Sequence, residues 1–401
     1  MDRGDNEKRI LILAPGHQDY EDRPLRTLRV ARDFGACHFA TDTPPGSRSA
    51  RFRRESEEAE RATGRGIHPI ALPDRGRVFI VNKFWKYLFI VRVVRMTVKL
   101  RPDIIHIHEQ GRLGLLLAFL IRRFLPGCRM IFDYHDWIPL EVAVFCRKKK
   151  ALYAVLYPLL LRLYRLYARS VDTFVCVSPG HAEWARTALG AKEALVVENV
   201  RDKRAVRGSY DGPLVTQLLF VGHVMRERKI EYAVDRLVEF KNLGMAVDLM
   251  VCGKLLDRDY VEELRDYAVR KGVADRIRFT GAYTGDAELE QHMVRGTVGY
   301  WNKNYSDFDT GVEKLTSGNK FFTYLSLGIP VLLEDGFDGM IGILRRYQAG
   351  ESFKTGEDFV AQARRIWETE GLWDAMHRSA YRVTDDMNTE TYVPLLRELY
   401  R

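Results

Sequence analysis

The sequence predicts an α/β protein of two Rossmann-like domains facing each other across a cleft. Three observations carry this. Short apolar runs alternate with helical patterns along the chain, as they do when a parallel sheet is covered on both faces. The alternation pauses once, in the polar, glycine-containing stretch Arg201 to Pro213, and then restarts. The 401 residues, 46% of them apolar, suffice for two domains with their own cores.

In the first half Arg9 to Ala14 reads as an apolar strand, followed by a helix from Pro24 to Phe34 with Gly35 as its stop. Cys37 to Ala40, Ile67 to Leu72, Asp103 to His108, Met130 to Tyr134, Thr173 to Val177 and Leu195 to Glu198 are further strands. Beyond the linker, Gln217 to Val221, Val247 to Cys252, Arg276 to Thr280, Val298 to Trp301 and Ile329 to Leu333 read as strands, with helical patterns such as Arg258 to Lys271 between them. Two consecutive open sheets follow.

Composition narrows the function classes. Five scattered cysteines (Cys37, Cys128, Cys146, Cys176, Cys252), none in a Cys-x-x-Cys pair, fit reduced thiols and a cytoplasmic setting. The charged start, Met1 to Arg9, has no apolar signal region. No apolar run is long enough to cross a bilayer without charges. The net charge of +9 is unevenly placed: residues 1–200 hold 34 Lys and Arg against 22 Asp and Glu, and the remainder 29 against 32. The window Lys83 to Ser170 alone holds 17 against 5, a distribution suited to an acidic surface. A nucleic-acid binder is suggested by the basic isoelectric point only, without a recognisable module.

That basic window interleaves cations with apolar and aromatic residues. Arg147, Lys148, Lys149 and Lys150 precede an apolar run, and Arg162, Tyr164, Arg165, Tyr167 and Arg169 follow it. Lys83 to Arg101 is mixed in the same way. The reading is an interfacial helix on anionic lipid, weighed against two packing helices with cationic outer edges.

Chemistry concentrates at strand ends. Ser317, Gly318 and Asn319 suit a helix N-terminus, whose first amides have no internal partner. Phe321, Tyr324 and Leu325 recur at helical spacing, Gly328 ends the helix, and Pro330 cannot continue it. A loop that brings free amides and Lys320 to a helix start is a place for a phosphate. Gly222 and His223 close the strand that opens the second half, with Arg226, Arg228 and Lys229 just beyond. Gly16 lies where the first strand ends, and no Gly-x-Gly-x-x-Gly follows, which argues against a dinucleotide cofactor. His106 and His108 share one face of a strand, but no third metal ligand is evident. His135 beside Asp136 follows another strand, where open sheets place their ligands. Arg23 and Arg26 read equally as functional or as a solvated helix face.

The stretch Asn319 to Val331 resembles the sugar-nucleotide loop of the family-four glycosyltransferases, which have the GT-B fold. Members often read Pro-Asn-Lys-Phe-Phe-Glu-Tyr-Leu, then a small-residue turn ending Gly-x-Pro-Val. This chain keeps Asn319, Lys320, Phe321, Phe322, Tyr324, Leu325, Gly328, Pro330 and Val331. Thr323 stands where the family has an acid that holds the ribose hydroxyls, and it offers one shorter, neutral hydroxyl. Asp22 to Gly35, Asp103 to His108, Asp133 to Asp136, Cys176 to His181 and Glu198 to Val200 match weaker family segments.

The resemblance implies a retaining transferase that moves a hexosyl-type sugar from a nucleotide-diphosphate donor to a glycan or lipid-linked acceptor. It implies no cofactor and no metal. Catalytic residues would be His135, Arg228 and Lys229. Gly16, Gly222, His223, Ser317, Gly318, Asn319, Lys320 and Thr323 would bind the donor. Arg147, Lys148, Lys149 and Lys150 would lie on the membrane and acceptor side, at the inner face of a bacterial membrane. Residues 1–205 would form the acceptor-side domain, with the C-terminal helix (385–401) returning to it, and 206–384 the sugar-nucleotide domain. His223, where an arginine is usual, and Thr323 motivate an alternative: a non-catalytic subunit that keeps the fold and docks a partner or membrane.

Overall fold

The computed structural model describes the chain except residues 1–7, 16–21, 44–46, 48, 65, 73–81, 109–111, 135–138, 140–141, 143–145, 147–148, 205–206, 284, 303–314 and 316. The chain forms two compact units, one of residues 1–198 with 392–401, the other of residues 199–391.

The first unit holds seven parallel strands: β1 (Lys8–Ala14), β2 (Gly35–Thr41), β3 (His68–Ala71), β4 (Ile104–His108), β5 (Arg129–Tyr134), β6 (Thr173–Cys176) and β7 (Ala194–Val196). Their order is β3-β2-β1-β4-β5-β6-β7. The helices of this unit are α1 (Asp22–Ala31), α2 (Ala50–Thr63), α3 (Asn82–Leu100), α4 (Arg112–Phe124), α5 (Lys150–Ala168) and α6 (Pro179–Trp184). Ile10, Ile12, Phe39, Ile104, Ile131 and Val175 build one core layer with Leu25 and Leu28 of α1. Leu396, Leu399 and Tyr400 of the C-terminal segment belong to the same core.

The first helix ends at Ala31, earlier than its apolar pattern suggested, and Gly35 opens β2 instead of stopping the helix. The reason is steric: a Cβ on Gly35 would lie 2.1 Å from the Lys8 carbonyl oxygen. Glycine there lets two neighbouring strands start side by side.

The second unit holds six parallel strands: β8 (Gln217–Val221), β9 (Asp248–Cys252), β10 (Ile277–Gly281), β11 (Thr297–Trp301), β12 (Val331–Glu334) and β13 (Gly350–Phe353), in the order β10-β9-β8-β11-β12-β13. Its helices are α7 (Glu231–Asn242), α8 (Arg258–Arg270), α9 (Asp286–Glu290), α10 (Asn319–Ser326), α11 (Asp338–Tyr347), α12 (Gly356–Glu368) and α13 (Leu372–Asp386). Helix α14 (Thr389–Glu398) carries the chain back into the first unit. Leu218, Phe220, Leu237, Phe240, Val251, Val298 and Trp373 are fully buried in one cluster. Each such side chain contributes about 1.5–3 kcal/mol by leaving water.

The stretch Arg201 to Pro213, read as a linker, is anchored inside the second unit. Arg204 holds Glu290, Arg207 holds Asp385, and the Tyr210 hydroxyl donates to the Leu327 carbonyl at 2.9 Å. Tyr324 ties α10 to the sheet: its hydroxyl accepts from the Val221 amide at 3.0 Å and lies 3.2 Å from the Leu219 and Tyr300 carbonyls. Its ring fits because residue 299 is glycine, where a Cβ would stand 2.7 Å from the ring.

Candidate functional site

In an open parallel sheet, ligands bind beyond the C-terminal strand ends where the strand order reverses. In the second unit that point lies between β8 and β11. Gly222 follows β8 there with φ 139°, a backbone shape that side chains resist. A Cβ on it would lie 2.4 Å from Cε of Lys320, so glycine leaves the lane along which Lys320 runs.

Lys320 occupies the first turn of α10. Its Nζ stands 4.2 Å from the Phe220 ring centre and 5.9 Å from that of Trp301, one ring from each strand flanking the reversal. The residue is half-buried as a whole, but its Nζ is shut off from solvent and has no hydrogen-bond partner among the described residues. Burial, with Arg228 adding to it, drives the Lys320 pKa well below the usual lysine value. Aromatic faces attract a cation but do not replace the hydrogen bonds it lost.

Two more buried polar atoms here lack a partner among the described residues: the Ser317 hydroxyl and the Trp301 indole N–H. Ser317 is held from behind, its carbonyl accepting from Asn199 Nδ2 at 2.7 Å. Gly318 caps α10 with no side-chain bond, leaving the first amides of the helix without an intrahelical acceptor. Any side chain on Gly318 would strike Trp301, whose ring lies 1.9 Å from the Cβ position. Among the described residues the helix start therefore has no side-chain cap, and it lies close to the indole and to the buried amine of Lys320. Such a terminus favours an anion.

The surrounding field is positive. The pKa of His223 is lowered from its ordinary 6.5 by burial first, then by Arg228, Lys320 and Lys254. Lys254 follows Gly253, whose backbone passes so near Gly222 that a Cβ would meet the Gly222 oxygen at 1.8 Å. The structure thus gathers Gly222, His223, Arg228, Ser317, Gly318 and Lys320 at one strand end.

Other candidates fall differently. Arg226, one of three cations after the glycine turn, is held by Glu263 through two bonds of 2.6 and 2.7 Å on the surface. Lys229 is exposed with φ 45° and ends the short 3-10 turn Arg226–Arg228. Asn319 is exposed at the helix start. The Thr323 hydroxyl, expected to face a ligand, donates instead to the Asn319 carbonyl at 3.0 Å, and the residue is 4% exposed. Its own helix takes the proton. Lys149 and Lys150, at the start of α5, are exposed. Gly16, His135, Arg147 and Lys148 lie outside the described residues.

The first unit has its own polar cluster beside the reversal between β1 and β4. Arg23 of α1 binds both Asp133 oxygens, at 2.7 and 2.9 Å, and donates to the Val197 carbonyl at 2.9 Å. Arg26, 6% exposed, reaches the Glu198 carbonyl at 3.3 Å, so neither arginine lies on a solvated face. His106 and His108 stack at 4.5 Å and 12°, and both approach Asp133, at 3.9 and 3.3 Å. Tyr400 hydrogen-bonds His106 Nδ1 at 2.7 Å. Burial lowers the His106 pKa to about 4, which keeps the ring neutral.

Asp133 is the third group that the strand pattern alone lacked, and the three offer ligand atoms within 4.8 Å of one another. Parallel stacked rings send their lone pairs in one direction rather than to a common point, and the carboxylate is gripped by an arginine. That is the arrangement of a buried Arg23–Asp133 ion pair with two histidines stacked beside it more than of a tetrahedral metal site. The sequence reading did not include Trp301 and Lys254 among the site residues. They come from strand ends far apart in sequence, and no local spacing marks them.

Residues 25–199 match the glycosyl transferase 4-like domain family. Solved structures of the same fold include a glycosyltransferase from Rickettsia africae (10% identity, TM-score 0.66, covering 98% of each chain). Anabaena HepE in complex with UDP and glucose aligns at 14% identity and TM-score 0.66, over 98% of this chain and 99% of that one. WaaG, a glycosyltransferase involved in lipopolysaccharide biosynthesis, aligns at 12% identity and TM-score 0.63, over 97% and 99%. A sequence search of curated proteins finds no match. The chain has the GT-B glycosyltransferase fold, and residues 25–199 are similar to the glycosyl transferase 4-like domain.

Proposed function

We propose that this protein transfers a hexosyl-type sugar, with retention, from a nucleotide-diphosphate donor to a glycan or lipid-linked acceptor. One observation carries the reading. The Nζ of Lys320 is buried without a hydrogen-bond partner among the described residues, beside an uncapped helix start and a positive field, on a glycosyltransferase fold. A diphosphate would supply the missing acceptors. HepE, of the same fold, has been solved in complex with UDP-glucose, which supports a nucleotide sugar.

In this reading the acceptor hydroxyl oxygen bonds to the anomeric carbon as the bond from that carbon to the diphosphate breaks. The acceptor proton passes to an oxygen of the leaving phosphate, and a nucleoside diphosphate is released. Negative charge grows on the diphosphate, where Arg228, Lys229, Lys320 and the amides of Asn319 and Lys320 meet it. Fixed donors at growing charge are a large catalytic lever, each worth roughly 3 kcal/mol of barrier. Ser317, Gly318, Gly222 and His223 shape the diphosphate seat, while Thr323 braces the helix that presents it. His135 and Gly16 complete the proposal from the first domain, 1–205, and the protein works in the cytoplasm against a membrane-borne acceptor. No step uses a metal.

A thermal-shift screen of uridine, guanosine and adenosine diphosphate sugars tests this. A ligand at about 100 times its dissociation constant should stabilise the native state by roughly 2.7 kcal/mol. Absence of any shift across the panel sinks the reading. A shift with neither hydrolysis nor transfer favours the non-catalytic subunit, for which the committed hydroxyl of Thr323 is the structural motive.

A further inference from the structure

Five of the seven large apolar side chains that stand exposed in the described first unit lie on one helix, α5. They are Leu152, Val155, Leu159, Leu163 and Leu166, between 39% and 63% exposed. Their spacing of three and four residues puts them in a single stripe running the length of the helix. In this 19-residue helix only Tyr164 and Ala168 are buried. A stripe of that size left in water marks a covered surface.

The charges around it indicate what covers it. From Lys149 to Arg169 there is no Asp or Glu, while Lys149, Lys150, Arg162, Arg165 and Arg169 are all exposed. Neighbouring helices extend the pattern. Helix α4 packs against both α3 and α5. It adds Phe124, 62% exposed, and α3 adds Val91, 60% exposed, with Arg92 and Arg95 exposed beside it. A protein partner or a second copy with this same face would have to bring acids to match the cations, and this helix has none to offer its twin. An anionic bilayer matches both features at once: acyl chains take the leucines and headgroups take the cations.

We infer that α5 lies in the plane of an anionic membrane surface with its Leu152–Leu166 stripe inserted among the acyl chains. This extends the transfer reading by naming the surface on which the protein works. It shares no residue with the diphosphate seat.

Flotation of the full chain tests it, with vesicles of phosphatidylcholine alone or mixed with phosphatidylglycerol. Binding should require the anionic lipid and weaken with salt. Val155→Glu with Leu159→Glu should lower partitioning by more than roughly tenfold. Arg162→Gln alone should lower it about fivefold. Leu159→Trp offers a direct readout, a blue shift of its emission on anionic vesicles only. Wild-type protein that stays off anionic vesicles, a double variant that binds like wild type, or a tryptophan whose emission does not move overturns the inference. So does a dimer in solution that Leu159→Glu converts to monomer. Stabilisation by nucleotide sugars should be the same in these variants as in wild type, which keeps failure here separate from failure of the donor reading.

Discussion

Each unit places a basic residue beside the reversal of its sheet, and the two are treated in opposite ways. In the first unit Arg23 meets both oxygens of Asp133, with His106 and His108 stacked behind. In the second unit Lys320 meets two aromatic rings and no carboxylate among the described residues. A buried cation is tolerated when a counter-charge and hydrogen bonds accompany it. The first cluster brings its own counter-charge, Asp133, to its arginine. The second leaves that place to something else, and the difference separates scaffold from candidate site more cleanly than the residue types do.

The largest expected effect is on the first cluster. Asp133→Asn removes the charge facing Arg23, which is 11% exposed, and leaves that guanidinium in the protein with a neutral partner. Breaking a buried pair in this way costs about 3–5 kcal/mol. Urea unfolding should show a fall of that size, while nucleotide binding to the native protein is kept. A loss below about 1 kcal/mol would mean that the Arg23 pair is not the support described here.

Lys320→Met tests the second cluster and should have the opposite sign on stability. Methionine keeps the length of the stem against Phe220 and Trp301 and removes a buried amine without hydrogen bonds. The free protein should gain about 1–3 kcal/mol, and nucleotide-sugar binding should weaken by roughly a hundredfold. The linkage has a definite direction. The folded-state pKa of Lys320 lies well below its unfolded value, so the unfolded chain holds the extra proton between the two values, and stability rises with pH across that window. The methionine variant loses this rise. A variant that is destabilised, or that binds donor normally, removes the contrast between the clusters.

How far the sequence revealed this division depends on distance along the chain. Strand interiors were legible because buried parallel strands are runs of Ile, Val and Leu, as in Ile10–Leu13 and Leu218–Val221. The edge strand β13 was not, since Gly-Glu-Ser-Phe carries two polar residues and its strand role rests on a glycine at which any Cβ would stand 2.1 Å from the Val331 oxygen. The start of α10 was legible because Ser317 to Lys320 is contiguous. Arg23 stayed ambiguous because Asp133, which settles its role, lies 110 residues away. Arg226 and Arg228 look alike in sequence, and only Glu263, 37 residues on, takes Arg226 out of the cation cluster. Trp301 and Lys254 carry no local mark, since their meaning comes from which strand ends the sheet order makes neighbours.

The smallest effect sharpens the contrast by proton count. His223 titrates below its ordinary 6.5 because it is partly desolvated and faces Arg228, Lys320 and Lys254. Two consequences follow from that sign. In the free protein the unfolded state takes up this proton first as pH falls through about 6.5, so the site loses a little stability on the acid side. A bound diphosphate reverses the local field and raises the pKa of His223, so binding should take up a proton and tighten as the solution is acidified. The gain should be no more than about tenfold between roughly pH 7.5 and 5.5. Calorimetry in buffers of different ionisation enthalpy measures the uptake directly, and His223→Gln should abolish the histidine part while leaving the titration of the diphosphate itself. Equal uptake in both proteins would place His223 outside the field of the bound anion, and the positive cluster would then end at Arg228 and Lys320.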